Sequence, residues 1–233
     1  MKSYTIHLIR HGVTQGNLLG QYVGRTDLPL AKEGIAGLEA LKRRGPYPEA
    51  QVYYCSPLKR CVQTLNILYP GAQPIVVDDF RECDFGDWEE KTAQELSGGT
   101  DFVEWIASNR TVTPPNGENG GVFMQRVCAA FEKVVEGMMR SGITSAAIVT
   151  HGGTIMSILS AYGLPRANFY DWMTDNGCGY SLRITPGLWM RSMVAEVYAT
   201  IPAQPAKEQD DQKLVIELAR EAADRAFGKK EEN

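Results

Sequence analysis

The sequence predicts an α/β fold on three observations. Short apolar runs stop abruptly at polar and glycine residues: residues 6–9 stop at Arg10-His11-Gly12, and residues 146–150 stop at His151-Gly152-Gly153. Such runs read as buried strands that carry polar side chains to the edge of a sheet, where α/β proteins bind ligands. Helix-period stripes separate them, notably over residues 31–44 and 122–140. Finally, 233 residues of which 43% are hydrophobic and 22% charged can bury a sizeable core in one domain.

Residues 4–9 form the first predicted strand, with His7, Ile9 and His11 on one face. Four residues at about 3.3 Å each put His7 about 13 Å from His11, so His7 is read as structural. Residues 18–30, with Gly20, Gly24 and Pro29, are a loop. The helix over 31–44 carries Ile35, Leu38 and Leu41 on its apolar stripe and stops at Gly45-Pro46. A strand over 51–55 precedes Ser56-Pro57-Leu58-Lys59-Arg60, which sets an arginine at a helix start. There a bidentate guanidinium combines with free backbone N–H groups to receive an anion.

A strand over 74–78 leads into Phe80-Arg81-Glu82-Cys83-Asp84-Phe85-Gly86-Asp87-Trp88-Glu89. Residues 91–120 are Pro/Gly-rich, with a short helix at about 101–108, and read as a functional cover. Asn119 offers an N-cap oxygen to the next helix, whose core stripe is Phe123, Val127, Phe131 and Val134. After the strand over 146–150 comes a helix over 154–162. Residues 180–185 and 188–194 then read as a hairpin about Pro186-Gly187 at the sheet's edge. A charged helix over 213–227 forms the C-terminal tail, giving a catalytic domain at 1–200, a cap at 91–120 and a tail at 201–233.

Four of these segments, in order, resemble the histidine phosphatase superfamily, the phosphoglycerate-mutase-like proteins. They are the R-H-G-x-T-x-x-N string from Arg10 to Asn17, the S-x-L-x-R-x-x-Q-T string from Ser56 to Thr64, the Glu82 to Glu89 segment, and Thr150-His151-Gly152-Gly153. The resemblance covers about residues 4–195. It implies a three-layer sandwich with a mainly parallel central sheet flanked by helices. It also implies His11 as the phosphate-accepting nucleophile, Arg10, Arg60 and His151 as a cationic cradle, and Glu82 as the acid that protonates the leaving group. Substrate contacts are implied at Asn17, Val23, Gly24, Arg25 and Gly152. Val23 stands where the family often has Thr or Gln, Glu90 where it often has Gly, and Asn119 where it has Ser.

Those groups are all that metal-free phosphoryl transfer needs, because its catalysis is mainly charge stabilisation and positioning. No P-loop and no run of metal-ligand spacing occurs in the sequence, so neither a metal nor a nucleotide cofactor is expected. A formal net charge of −4 with no basic stripe argues against nucleic acid. No apolar run approaches the ~20 residues of a membrane span. Five cysteines, an odd number without a C-x-x-C pair, fit reduced thiols in a cytoplasmic protein.

The expected partner is a phosphorylated small molecule, and the tail leaves a homodimer open. Within the class a phosphatase competes with a mutase. Mutases of the family line a longer insertion with basic side chains, whereas residues 92–120 hold Arg110 and no lysine, which favours the phosphatase. A catalytically silent binding module is the reading from another class, against which every catalytic position is present. Sugar phosphates, phosphoglycerates and α-ribazole phosphate are substrates of similar proteins, and the choice among them falls to the cap.

Overall fold

The computed structural model describes residues 3–107 and 112–203. The tail helix expected over 213–227 and the cap residue Arg110 lie outside them. The element order is β1 (Tyr4–Arg10), α1 (Gln15–Leu18), α2 (Lys32–Arg44), β2 (Val52–Cys55), α3 (Lys59–Leu68), β3 (Ile75–Val76), α4 (Ala93–Leu96), α5 (Thr100–Ala107), α6 (Gly120–Ser141), β4 (Ser145–Thr150), α7 (Gly152–Tyr162), β5 (Gly163–Leu164), β6 (Gly179–Ile184), α8 (Pro186–Ser192) and β7 (Ala195–Ile201). One seven-stranded sheet runs in the order β3-β2-β4-β1-β6-β7-β5. Strands β3, β2, β4 and β1 are parallel, and β6 and β7 add antiparallel pairs beside β1.

The side-chain period of two makes this a three-layer structure. Ile6 and Leu8 of β1, with Ala146 and Ile148 of β4, face a large core shared with α6 and α7. Ile9, Ala147 and Val149 face the opposite core, with Leu38 of α2 and Leu65 of α3. His7 shares that second face, and its Nδ1 lies 2.9 Å from the Ser181 hydroxyl of the neighbouring β6. Burial lowers its pKa to about 4, which fits the structural role read from spacing.

Helix α6 begins where Asn119 Oδ1 accepts the Gly121 N–H at 2.9 Å and ends at Gly142 in the left-handed region. Its predicted stripe of Phe123, Val127, Phe131 and Val134 is buried. Helix α2 differs in one detail: Ile35 is 43% exposed, and Gly34 and Leu38 are the positions that meet the core. A Cβ at Gly34 would stand 2.0 Å from the Val13 carbonyl, so the helix seats by backbone contact there and rotates Ile35 outward.

The predicted hairpin is corrected. Residues 188–194 are not its second strand: α8 occupies Pro186–Ser192, and the strand paired antiparallel with β6 is β7. Pro186 at the first helical turn favours a helix start, and Trp189 turns inward against Phe131 and Tyr162. Nor is the pair at the edge, because β5 covers β7. Glu90, where the family often has Gly, keeps a left-handed φ of 61°.

Candidate active site

Three neighbouring parallel strands end together. The Thr150 carbonyl accepts the His11 N–H at 2.9 Å, so β1 and β4 deliver His11 and His151 side by side. Their ring centroids are 5.2 Å apart at an interplanar angle of 64°. Strand β2 ends at Cys55, just before Ser56, and the first turn of α3 carries Arg60. The segment after β3 supplies Glu82. The site therefore lies at the carboxyl ends of the strands, where parallel pairing on one side of β1 gives way to antiparallel pairing on the other.

Each histidine has one assigned ring hydrogen. His11 Nδ1 lies 2.7 Å from the Gly12 carbonyl, which can only accept, so Nδ1 carries the hydrogen and Nε2 the lone pair. Arg60 Nε donates to His151 Nδ1 at 3.3 Å, so His151 holds its hydrogen on Nε2 and donates to the Ser56 hydroxyl at 2.8 Å. Burial first, and then the Arg60 charge, hold both imidazoles well below their ordinary pKa. Both are neutral at pH 7.

The arginines are held by carbonyls. Arg60 is fully buried and donates to Thr26 O at 2.8 Å and Gly24 O at 2.6 Å. Arg10 donates from Nη1 to Thr174 O at 2.6 Å, and its buried Nε has no partner among the described residues. Burial lowers both guanidinium pKa values, Glu82 opposes that shift, and both groups stay cationic at neutral pH. A Cβ on Gly152 would stand 3.4 Å from Arg10 Nε. Glu82 accepts the Gly153 N–H at 2.8 Å and the Cys83 N–H at 3.0 Å, and a Cβ on Gly153 would come within 2.3 Å of its carboxylate. That approach needs a glycine.

Arg10, His11, Arg60, Glu82, His151 and Gly152 thus converge, with Gly24 joined to them through Arg60. Three other expected contacts are engaged elsewhere. Asn17 Oδ1 accepts from Thr14 N at 3.0 Å and closes the capping box of α1. A Cβ on Gly16 would stand 2.4 Å from Val23, which packs beneath that loop. Arg25 Nε points to Asp84 at 3.8 Å, and its side chain is 46% exposed. Glu89 gathers the N–H groups of Gly24, Arg25, Thr26 and Phe85, which makes it a loop anchor.

Sequence reasoning missed Arg126, whose signal was an arginine beside the buried stripe of α6. It donates to Glu118 through Nε and Nη2, at 2.6 and 2.8 Å. Its Nη groups also reach the carbonyls of Asp79, Arg81 and Glu82 at 2.8 to 3.0 Å. Asn176, likewise unassigned, donates to His11 O at 2.9 Å.

The model for the histidine phosphatase superfamily (branch 1) matches residues 6–196. The chain belongs to the histidine phosphatase superfamily. Over 190 residues it is 28% identical to the adenosylcobalamin/alpha-ribazole phosphatase of Salmonella typhimurium strain LT2, covering 77% of this chain and 90% of that protein. It is 27% identical over 190 residues to the 2,3-bisphosphoglycerate-dependent phosphoglycerate mutase of Bifidobacterium longum strain DJO10A, covering 67% and 76%. Among solved structures, the alpha-ribazole phosphatase of Shigella flexneri superposes with a TM-score of 0.69 at 26% identity, covering 83% of this chain and 94% of that one. The phosphoglycerate mutase of Bacillus anthracis strain Sterne also reaches 0.69, at 19% identity and covering 84% and 92%, and shares the fold. The phosphoglycerate-mutase-like fold of this superfamily is therefore the architecture of the chain.

Proposed function

We propose that the chain is a phosphatase that hydrolyses small phosphate monoesters in two steps through a phosphohistidine on His11. The observation that carries this reading is the His11 tautomer. Its Nδ1 is tied to Gly12 O, so a neutral ring offers the Nε2 lone pair, beside the buried Arg60 and the half-buried Arg10, to an incoming phosphorus. In the first step an N–P bond forms at Nε2 as the ester O–P bond breaks, and Glu82, acting as general acid, passes a proton to the departing alkoxide. In the second, water attacks phosphorus, the N–P bond breaks, and Glu82 takes the proton of the water. Arg10, through an Nε with no partner among the described residues, and Arg60 balance charge on the equatorial oxygens, to which the neutral His151 can add only the Nε2–H that it otherwise gives Ser56. Gly152, at the α7 N-terminus, lets the anion approach backbone N–H groups.

The alpha-ribazole phosphatase relatives, from Salmonella typhimurium and Shigella flexneri, support hydrolysis over phosphate transfer between positions of one substrate. Five free cysteines support a cytoplasmic setting. Among the described residues no helix is long and apolar enough to cross a membrane. Purified protein should release inorganic phosphate from several monoesters in the presence of chelator. Activity lost in chelator and restored by a divalent ion would overturn the metal-free mechanism. Interconversion of phosphoglycerates faster than phosphate release would instead select the mutase named by the Bifidobacterium relative.

A further inference from the structure

The peptide that joins His11 to Gly12 is held on both edges. Its N–H, on Gly12, donates to the Thr64 hydroxyl at 2.9 Å, and that hydroxyl donates in turn to the Arg60 carbonyl at 2.7 Å. Its carbonyl, on His11, accepts from the Asn176 side chain at 2.9 Å and from the Gly177 N–H at 3.2 Å. The next peptide has a different duty, because its Gly12 carbonyl, 2.7 Å from His11 Nδ1, is the acceptor that fixes the ring hydrogen. Glycine at this position offers little resistance to a flip of that peptide plane, which would carry the oxygen away from the ring.

Asn176 reaches this oxygen too. Its Nδ2 lies 3.4 Å from Gly12 O and 3.4 Å from Asn17 Oδ1, besides the 2.9 Å bond to His11 O. Three oxygens therefore face one nitrogen. Asn17 Oδ1 is identified as an oxygen by the Thr14 N–H that it accepts at 3.0 Å, so the Asn176 amide can only present its hydrogens here. One planar donor thus gathers the two successive carbonyls of the nucleophile's turn.

The backbone around Asn176 has supports of its own. The Gly177 N–H also reaches Arg10 O at 3.0 Å, the Gly177 carbonyl accepts the Tyr47 hydroxyl at 2.6 Å, and the Thr174 carbonyl takes Arg10 Nη1. Removing the Asn176 side chain therefore leaves the turn 174–177 anchored and releases the carbonyls of His11 and Gly12.

Resting on the phosphohistidine reading above, we propose that Asn176 is a positioning residue for the nucleophile: by holding the His11 and Gly12 carbonyls together it keeps the Gly12 oxygen against Nδ1, and so keeps the Nε2 lone pair free and aimed. No bond forms or breaks at Asn176. Without it the Gly12 oxygen can leave Nδ1, and the ring hydrogen can then reside on Nε2, the atom that must attack phosphorus.

The test uses Asn176→Ala, which removes the amide, and Asn176→Asp, which keeps its size but sets an oxygen against three oxygens. The chain has three histidines, so NMR of protein with isotope-labelled histidine rings reads each tautomer directly. Wild-type His11 should carry its hydrogen on Nδ1 and His151 on Nε2. In the variants His11 should become a mixture of tautomers while His7 and His151 keep their wild-type patterns. The single-turnover rate of phosphoenzyme formation should fall by roughly 10-fold to 10²-fold, alike on aryl and alkyl phosphates, with KM changed by less than about twofold. An unchanged His11 pattern or an unchanged rate overturns the proposal, as do changes spread over all three histidines. If one variant fails to keep the wild-type melting temperature the other is read; if both fail, Asn176 is a structural tie and the proposal falls. A wild type that forms no phosphoenzyme overturns the phosphohistidine reading instead, and the His11 tautomer in the variants then decides the role of Asn176 alone.

Discussion

His11 and Glu82 divide the chemistry of one bond, and the division can be read by changing the leaving group. In the proposed mechanism His11→Ala removes the lone pair that takes the phosphoryl group. Turnover should vanish, together with the acid-labile, alkali-stable label that a phosphohistidine leaves after incubation with labelled ester. Glu82→Gln keeps the shape of the side chain and an oxygen to accept the Gly153 N–H, but has no acidic proton. A phenolate departs unaided and an alkoxide does not, so this variant should lose rate on an alkyl phosphate by roughly 10²-fold more than on an aryl phosphate. Equal losses on both would move the acid elsewhere, and Glu89, with its oxygens committed to four backbone amides, is badly placed to inherit the role.

At the scale of elements, the acid-bearing segment is irregular, and a side chain of α6 keeps it in place. The guanidinium of Arg126 bonds the carbonyls of Asp79, Arg81 and Glu82, while Glu118, itself bonded to Asp84 N at 3.3 Å, takes the rest of the fork. Arg126 is a positioning residue, and its replacement should resemble a diluted Glu82 variant. Arg126→Lys keeps the charge and loses the fork. It should lower kcat on alkyl phosphates more than on aryl phosphates, with KM little changed. Combined with Glu82→Gln it should cause no further loss of that selectivity. A uniform fall on both substrates, or additive loss in the double variant, would reduce Arg126 to a structural pair. The same scale explains what the sequence hid. Strand ends at Arg10-His11 and Thr150-His151 were legible because an apolar run that stops at a charged residue can go only to a sheet edge. Arg126 was not, since its partners are backbone carbonyls forty-odd residues away and carbonyls leave no trace in a sequence. Residues 186–192 were misread because Leu188, Met190 and Val194 alternate like a strand, while the helix is set by Pro186 and by the burial of Trp189, a tertiary effect.

Across the whole molecule the three described histidines share one electrostatic condition: all are buried and neutral at pH 7. His7 has its pKa pushed down to about 4, and His11 and His151 lie well below 6.5, by burial in every case. An unfolded chain regains the ordinary value of 6.5 and so binds more protons than the native one as the pH falls below it. Folding stability from these groups is therefore complete above pH 6.5 and is lost on acidification, with a slope of up to about 1.4 kcal/mol per pH unit for each histidine. His7 is the one to isolate, because it lies outside the reacting centre and, among the described residues, is bonded to the Ser181 hydroxyl. His7→Gln retains a group able to bond Ser181 but cannot take up a proton. Denaturant unfolding followed from pH 7 to pH 4 should show wild type and variant separating as pH falls. The variant should gain about 3 kcal/mol relative to wild type by pH 4, the 2.5-unit gap between the two His7 pKa values converted to free energy. Carboxylates common to both chains cancel in that difference. Parallel curves would mean that His7 is protonated inside the fold, which would require a second acceptor near β1 and β6 in place of a neutral ring bonded to Ser181.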